Sequence, residues 1–370
     1  EDSLLAYNSE NGNFKPLPFD FTRASSATVV NKDGLIETVG SGEPRIDFSN
    51  DAKGALKLEP SRSNAITNSE EFGSTGWSFV TTGSAIAPIV SDNYAISPDG
   101  TQNAQRIQFD LGGGTTTSDR TIIRQNVGAQ SDWFLSVWMK STNGTEQKIL
   151  WHTTADSNET VVTGEWQRFT FSRNGVTNSW AGLCLRGSVS DVDTADILVY
   201  GFQVEQGSYA TSYIPNFGNS AGATRSADVC NNGGNEQVIN STEGVLYYEG
   251  SALTEEVVDK RIFLSDGTMN NYVAIGYSRF AGNIISEMVS GGVLQTVNWG
   301  ATGVNKTNNN KFAFSWGGGT MKFYVNGTQT NTESVTSPTG LNVLEFNTAD
   351  DIMIMYSNTK DLRVYNTALT

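Results

Sequence analysis

Large side chains in this chain recur at every second residue, in short runs closed by Gly, Asn, Asp and Ser. No stretch of ten or more residues carries the three-to-four spacing of an amphipathic helix, apart from single turns such as LTEEVVD at 253–259. In DWFLSVWMKS, Leu135, Val137 and Met139 share one face while Phe134, Ser136 and Trp138 share the other. EWQRFTFSRNG alternates Phe169 and Phe171 with Arg168, Thr170 and Ser172, and DILVYGFQVEQG reads as one apolar row of Leu198, Tyr200, Phe202 and Val204. KFAFSW puts Phe312, Phe314 and Trp316 on one face, and MKFYVNG repeats the pattern with Phe323 and Val325 before an Asn326-Gly327 turn. Such rows need a facing layer, so the pattern predicts an all-β chain of antiparallel sandwiches.

At 370 residues the chain exceeds one ordinary core and suits two domains. Its 38 glycines and 17% charged residues fit a turn-rich β protein, and 10% aromatics argues against disorder. Residues 1–65 hold short strands punctuated by turns such as Asp33-Gly34 and are expected to pack on the next module. A first sandwich is expected over 66–215, a Gly- and Asn-rich connector over 216–240, and a second sandwich over 241–370. The start at Glu1 without Met and the strand-like ending DLRVYNTALT suggest a trimmed chain that continues natively.

A formal net charge of −15 argues against nucleic acid, whose phosphates call for clustered Lys and Arg. No run of 18 apolar residues occurs, so no membrane insertion is expected. Cys184 and Cys230, with His152 as the sole histidine, leave no zinc-type ligand set and read as free buried thiols. His152, in ILWHTTADS, has no nucleophile motif beside it and reads as structural. Sugars bind by stacking on aromatic rings while polar groups take the hydroxyls. Trp180 in TNSWAGL, Trp299 in TVNWGAT and Tyr94 in SDNYAIS sit among loop-type residues and are the candidate glycan contacts. Trp133, Trp138, Trp166 and Trp316 lie within strand patterns and read as core, and Trp77 as an anchor for its strand.

The run FTRASSATVVNKDGLIETVGSGEPRIDF, then LKLEPSRSNAITNSEEF, GFQVEQGSYATSYIPN and ATRSAD, resembles virion-associated fibre and appendage proteins of tailed bacteriophages. Within that resemblance the middle module looks like a carbohydrate-binding jelly roll. The last part, with NNKFAFSWGGGTMKFYVNGTQT and KDLRVYNTALT, is similar to concanavalin A-like or laminin-G-like sandwiches. The resemblance implies a non-enzymatic adhesin on a virion surface or in the extracellular space. Its partners would be a host-surface glycan or receptor and other virion proteins, and it would form a homo-oligomer, a trimer by preference. A purely structural decoration protein and a polysaccharide-degrading enzyme are the alternatives.

No cofactor is required on this reading. The jelly-roll resemblance does imply one structural calcium ion, held near Asn68, Glu70 and Glu205, although the closing strand has Gly201 where an Asp is usual. The loop SDVDTAD, with Asp191, Asp193 and Asp196, lacks the glycine and terminal glutamate of an EF-hand and reads as a solvated acidic loop. Glycan hydrolysis in the similar family uses an ExDxxE strand motif. Here Glu345 is followed two residues on by Asn347, and Asp350 and Asp351 would point to opposite faces of a strand.

Overall fold

The computed structural model describes residues 4–8, 13–17, 19–128, 132–152, 158–174, 179–299, 303–350 and 352–369. Every regular element among them is a β-strand, in agreement with the all-β expectation. The chain divides into two units: residues 27–38 with 61–226, and residues 1–26 with 39–60 and 227–370.

The first of these is a sandwich of two five-stranded antiparallel sheets. One runs in the order Ile86–Ala95, Ala104–Asp110, Thr194–Gln206, Asp132–Ser141, Gln167–Asn174. The other runs Glu159–Val162, Gln147–His152, Trp180–Arg186, Arg120–Asn126, Trp77–Thr82. Leu135, Val137, Met139, Ile123, Leu183 and Trp151 meet in its core, and Phe169 and Phe171 pack against it. The row expected from Leu198 to Val204 is broken. Gly201 adopts φ 64 and the pairing register shifts between Ser136 and Trp138, which is a β-bulge. Phe202 and Val204 therefore enter the core with Ile197 and Val199, whereas Tyr200 turns to the other face. There it meets Tyr213 and Trp138, and the hairpin of Ala27–Val30 and Ile36–Val39 covers them with Val30 and Ile36.

Buried amides join the two signature stretches of this unit. Asn64 donates to the carbonyls of Phe202 and Ile214 and accepts from the amides of Ile66 and Val204. Gln203 accepts from the Ile214 amide, and Asn216 donates to the Ile66 carbonyl. These side chains stand in for missing ladder partners, because irregular backbone cannot enter a core with its N–H and C=O groups unpaired.

The second unit pairs a seven-stranded sheet with a five-stranded one. The larger runs Thr328–Ser334, Thr320–Val325, Asn310–Gly317, Gly244–Ala252, Ser357–Tyr365, Ala55–Lys57, Arg45–Asp47. The smaller runs Val293–Asn298, Ile284–Ser290, Tyr272–Tyr277, Lys260–Ser265, Val343–Glu345. Phe312, Phe314, Trp316 and Phe323 from one sheet and Ile262, Ile275 and Met288 from the other share one core. The hairpin between Thr320–Val325 and Thr328–Ser334 turns at Asn326 and Gly327, both at positive φ, as the Asn-Gly pair predicts.

Two expectations about organisation are corrected. Residues 1–65 do not pack as a block on the following module. Arg45–Asp47 and Ala55–Lys57 extend the seven-stranded sheet of the second unit, with Leu56 opposite Thr359 and Leu56 and Leu58 in its core. Strands of three residues bury too little to stand alone, so each joins whichever edge is open to it. Residues 216–240 are likewise more than a connector. Ala223–Arg225 pairs with Arg62–Asn64, Val229–Asn231 pairs with Asp20–Thr22, and Cys230 and Ile239 enter the second core.

A buried charge network fastens these pieces. Asp228 accepts from Arg23 Nη1 at 3.0 Å through Oδ1, and through Oδ2 from Arg45 Nη2 and, at 2.8 Å, from the Glu59 amide. Arg45 Nη1 pairs with Glu59 at 2.8 Å, and Arg23 also donates to the Gly40 carbonyl at 2.6 Å. Burial alone would depress the Arg45 guanidinium, but the Glu59 and Asp228 carboxylates outweigh it and hold its pKa above the ordinary value. Removing one member of such a set strands the others out of water. Asp228→Asn is expected to destabilise the second unit by about 3–5 kcal/mol, read as a lowered calorimetric transition. A loss within error of zero would show that the network contributes nothing.

Candidate functional site

Each of the three aromatics nominated from sequence has an arginine guanidinium over its ring. Arg106 lies 5.0 Å from the centroid of Tyr94, Arg124 lies 3.9 Å from that of Trp180, and Arg279 lies 5.4 Å from that of Trp299. The first two guanidiniums are engaged elsewhere. Arg106 forks onto Asp196, and Arg124 Nη1 lies 3.3 Å from His152 Nε2, beside the half-buried Trp180.

Arg279 differs. It also covers Phe280 at 5.6 Å, and Phe280 and Trp299 meet edge to face at 5.1 Å. Phe280 is 47% exposed and Trp299 half-buried. Among the described residues the Arg279 guanidinium has no hydrogen-bond or ion-pair partner, its backbone N–H alone being engaged, by Asp259 at 2.6 Å. Every other arginine in the chain donates at least one side-chain hydrogen bond.

The turn that carries Arg279 and Phe280 joins strands Tyr272–Tyr277 and Ile284–Ser290 and is held on several sides. The Ser278 amide donates to the Asn283 carbonyl, and the Phe280 amide to Ser278 Oγ. The Val304 amide donates to the Gly282 carbonyl, where Gly282 lies at φ 67 and a side chain would press on Gly303. Beneath the turn, buried Lys306 donates through Nζ to the Ser278 carbonyl, and burial pulls its pKa down. The result is an exposed apolar platform with five uncommitted donors beside it. Sequence reading found Trp299 but missed Arg279 and Phe280. The SRF triplet in a turn is visible, but its meeting with a distant loop is not.

Calcium collects six to eight oxygens about one point, and the two acids of the expected set are engaged by protein donors. Glu205 is fully buried, and its two oxygens accept from the Thr211 amide and hydroxyl. The Asn68 side-chain amide donates to the Thr75 carbonyl, and the Asn68 backbone carbonyl accepts from the Trp77 indole. Glu70 accepts from the Tyr213 hydroxyl at 2.9 Å and from Asn103 at 3.2 Å. In SDVDTAD the three acids are dispersed: Asp191 pairs with Lys148, Asp193 accepts from the Gly113 amide, and Asp196 pairs with Arg106. Among the described residues no three His, Cys, Asp or Glu side chains converge on a metal position, and Asp351 lies outside them. Both cysteines are buried thiols outside any disulfide, and burial pushes the Cys230 thiol up to about 12.

No protein-family model and no curated protein matches the sequence. Among solved structures, the chain is similar to the CBM40 domain of the Ruminococcus gnavus IT-sialidase, at TM-score 0.31 and 16% identity over 38% of this chain and 89% of that one. It is also similar to the tandem CBM22 domains of Paenibacillus barcinonensis Xyn10C, at TM-score 0.28 and 12% identity over 85% and 100%. Mouse laminin α1 domains LG4-5 follow at TM-score 0.26 and 8% identity over 78% and 89%. Likeness at these values transfers no ligand or activity. The chain is an all-β protein of two antiparallel sandwiches, a class that rests on its own strand order and register.

Glu70 gives this region a pH signature. Burial raises its pKa, the Tyr213 hydroxyl opposes that, and the neighbouring Asp99 carboxylate adds to it. A group whose folded pKa is raised contributes stability that is complete below its unfolded value and is lost as pH climbs through the folded one. Glu70→Gln keeps an acceptor for Asn103 and a donor for Tyr213, whose hydroxyl also meets Ser69. The variant is expected to raise the melting temperature of the first unit near neutral pH, with the gain vanishing toward about pH 4. A difference from wild type that stays flat across that range would contradict this account.

Proposed function

We propose that this chain is a non-catalytic adhesin of a virion appendage that contacts host-surface glycans, with Arg279, Phe280 and Trp299 as its contact face. The observation that carries the reading is the pair of exposed Phe280 on a braced turn and half-buried Trp299, beside a guanidinium that makes no hydrogen bond or ion pair among the described residues. Rings supply the flat apolar surface a pyranose stacks on, and the guanidinium supplies hydrogen-bond donors for its oxygens. Placing such contacts on turns of a rigid sandwich limits the ordering cost of binding. The virion setting, an exposed location and a homo-oligomeric, preferably trimeric, state rest on the TRAS, GEPR and TSYIP motifs and their resemblance to appendage proteins.

A second reading, as a purely structural decoration protein, is favoured by one observation. The edge strand Ile86–Ala95 exposes Ile86 and Ile89, and Ile96 follows it, also exposed. Apolar residues on an open sheet edge suit pairing with a neighbouring chain. Trp299→Ala separates the readings: loss of about tenfold or more in retention on immobilised host glycans, with assembly intact, is expected for the adhesin. Lost assembly with unchanged retention would favour scaffolding. Release of reducing ends from capsule preparations would overturn the non-catalytic assignment.

A further inference from the structure

Resting on the glycan reading above, the geometry points to a finer ligand class: the Arg279–Phe280–Trp299 face takes a sugar bearing a single carboxylate, of the uronic or nonulosonic acid kind. The chain carries 39 acidic and 24 basic residues, so a guanidinium in it has carboxylates to spare, yet among the described residues the Arg279 guanidinium pairs with none. Asp259, the acid tied to its backbone, turns its other oxygen toward Arg261, at 3.7 Å from Nη2. The charge of Arg279 is thus held over two rings and left for something outside the fold.

Guanidinium geometry selects the group. Its planar fork matches a carboxylate through two parallel N–H···O bonds, and the guanidinium lies within cation–π range of both rings. A carboxylated pyranose offers both halves in one residue, a flat apolar face for the rings and a carboxylate at its edge. A neutral sugar would use the rings and leave the guanidinium to water. A multiply sulfated chain would meet the field of a protein at net charge −15, which one arginine does not offset.

The test uses the full chain and titrates it with glucuronic acid-terminated and N-acetylneuraminic acid-terminated oligosaccharides, their carboxyl-reduced forms, and a heavily sulfated polysaccharide. Wild type is expected to bind a carboxylated form about tenfold tighter than its reduced form, the size of one charge-assisted contact. Arg279→Gln is expected to erase that difference while still binding the reduced sugar. Its melting temperature should match wild type, because among the described residues the guanidinium makes no hydrogen bond. Equal affinity for carboxylated and reduced forms overturns the carboxylate inference and leaves the glycan reading standing. So does tightest binding to the sulfated chain that persists in Arg279→Gln. Binding to none of the sugars overturns both.

Discussion

Asp228 sets the organisation of this molecule, because its carboxylate is out of water and must be shared by two guanidiniums and a peptide N–H. Those donors come from Arg23, Arg45 and Glu59, three places in the N-terminal stretch, while Asp228 itself follows the first sandwich in sequence. A buried ion group of this kind gives little net stability over an apolar replacement, yet every member depends on the rest. Its members lie beside strands Arg45–Asp47 and Ala55–Lys57, which at three residues each have no core of their own.

The first unit solves a related problem with neutral groups. Around Asn64, Gln203 and Asn216 the backbone runs irregularly beside a core and lacks ladder partners, and the carboxamides supply donor and acceptor together. An amide carries no charge to desolvate, so these contacts avoid the penalty that the Asp228 group has to offset. The motifs NAITNSEEF and QVEQGSYATSYIPN are in this light instructions for closing a sandwich. Their acids follow suit: Glu205 satisfies Thr211 and Glu70 satisfies Tyr213.

What could be read from sequence follows from what has a period. Alternation exposed the strands, and the Asn326-Gly327 pair announced its turn, since both depend only on neighbours along the chain. The row through Tyr200 was misread because Gly201 inserts one extra residue, and every side chain beyond a bulge changes face. Short strands are expected within residues 1–65, but no local rule says which sheet a three-residue strand such as Arg45–Asp47 will join. A ligand set is hidden for a different reason. Residue type shows that a carboxylate is present and is silent on which protein donors have already taken it.

The contact face was half legible on the same principle. Trp299 stands out because a large ring among Asn, Gly and Thr has little local apolar company. Its partner ring and the guanidinium over it come from another turn, and the informative property of Arg279 is negative: among the described residues no acid pairs with its side chain. In a strongly acidic chain that lack requires nearby carboxylates to be held elsewhere, as Asp259 is held by Arg261 and by the Arg279 backbone. Contact with two rings then stands where an ion pair would, and it leaves the guanidinium's donors without a partner among the described residues. An ion pair would have occupied those donors, so the choice of rings over an acid is what makes the residue available to a ligand.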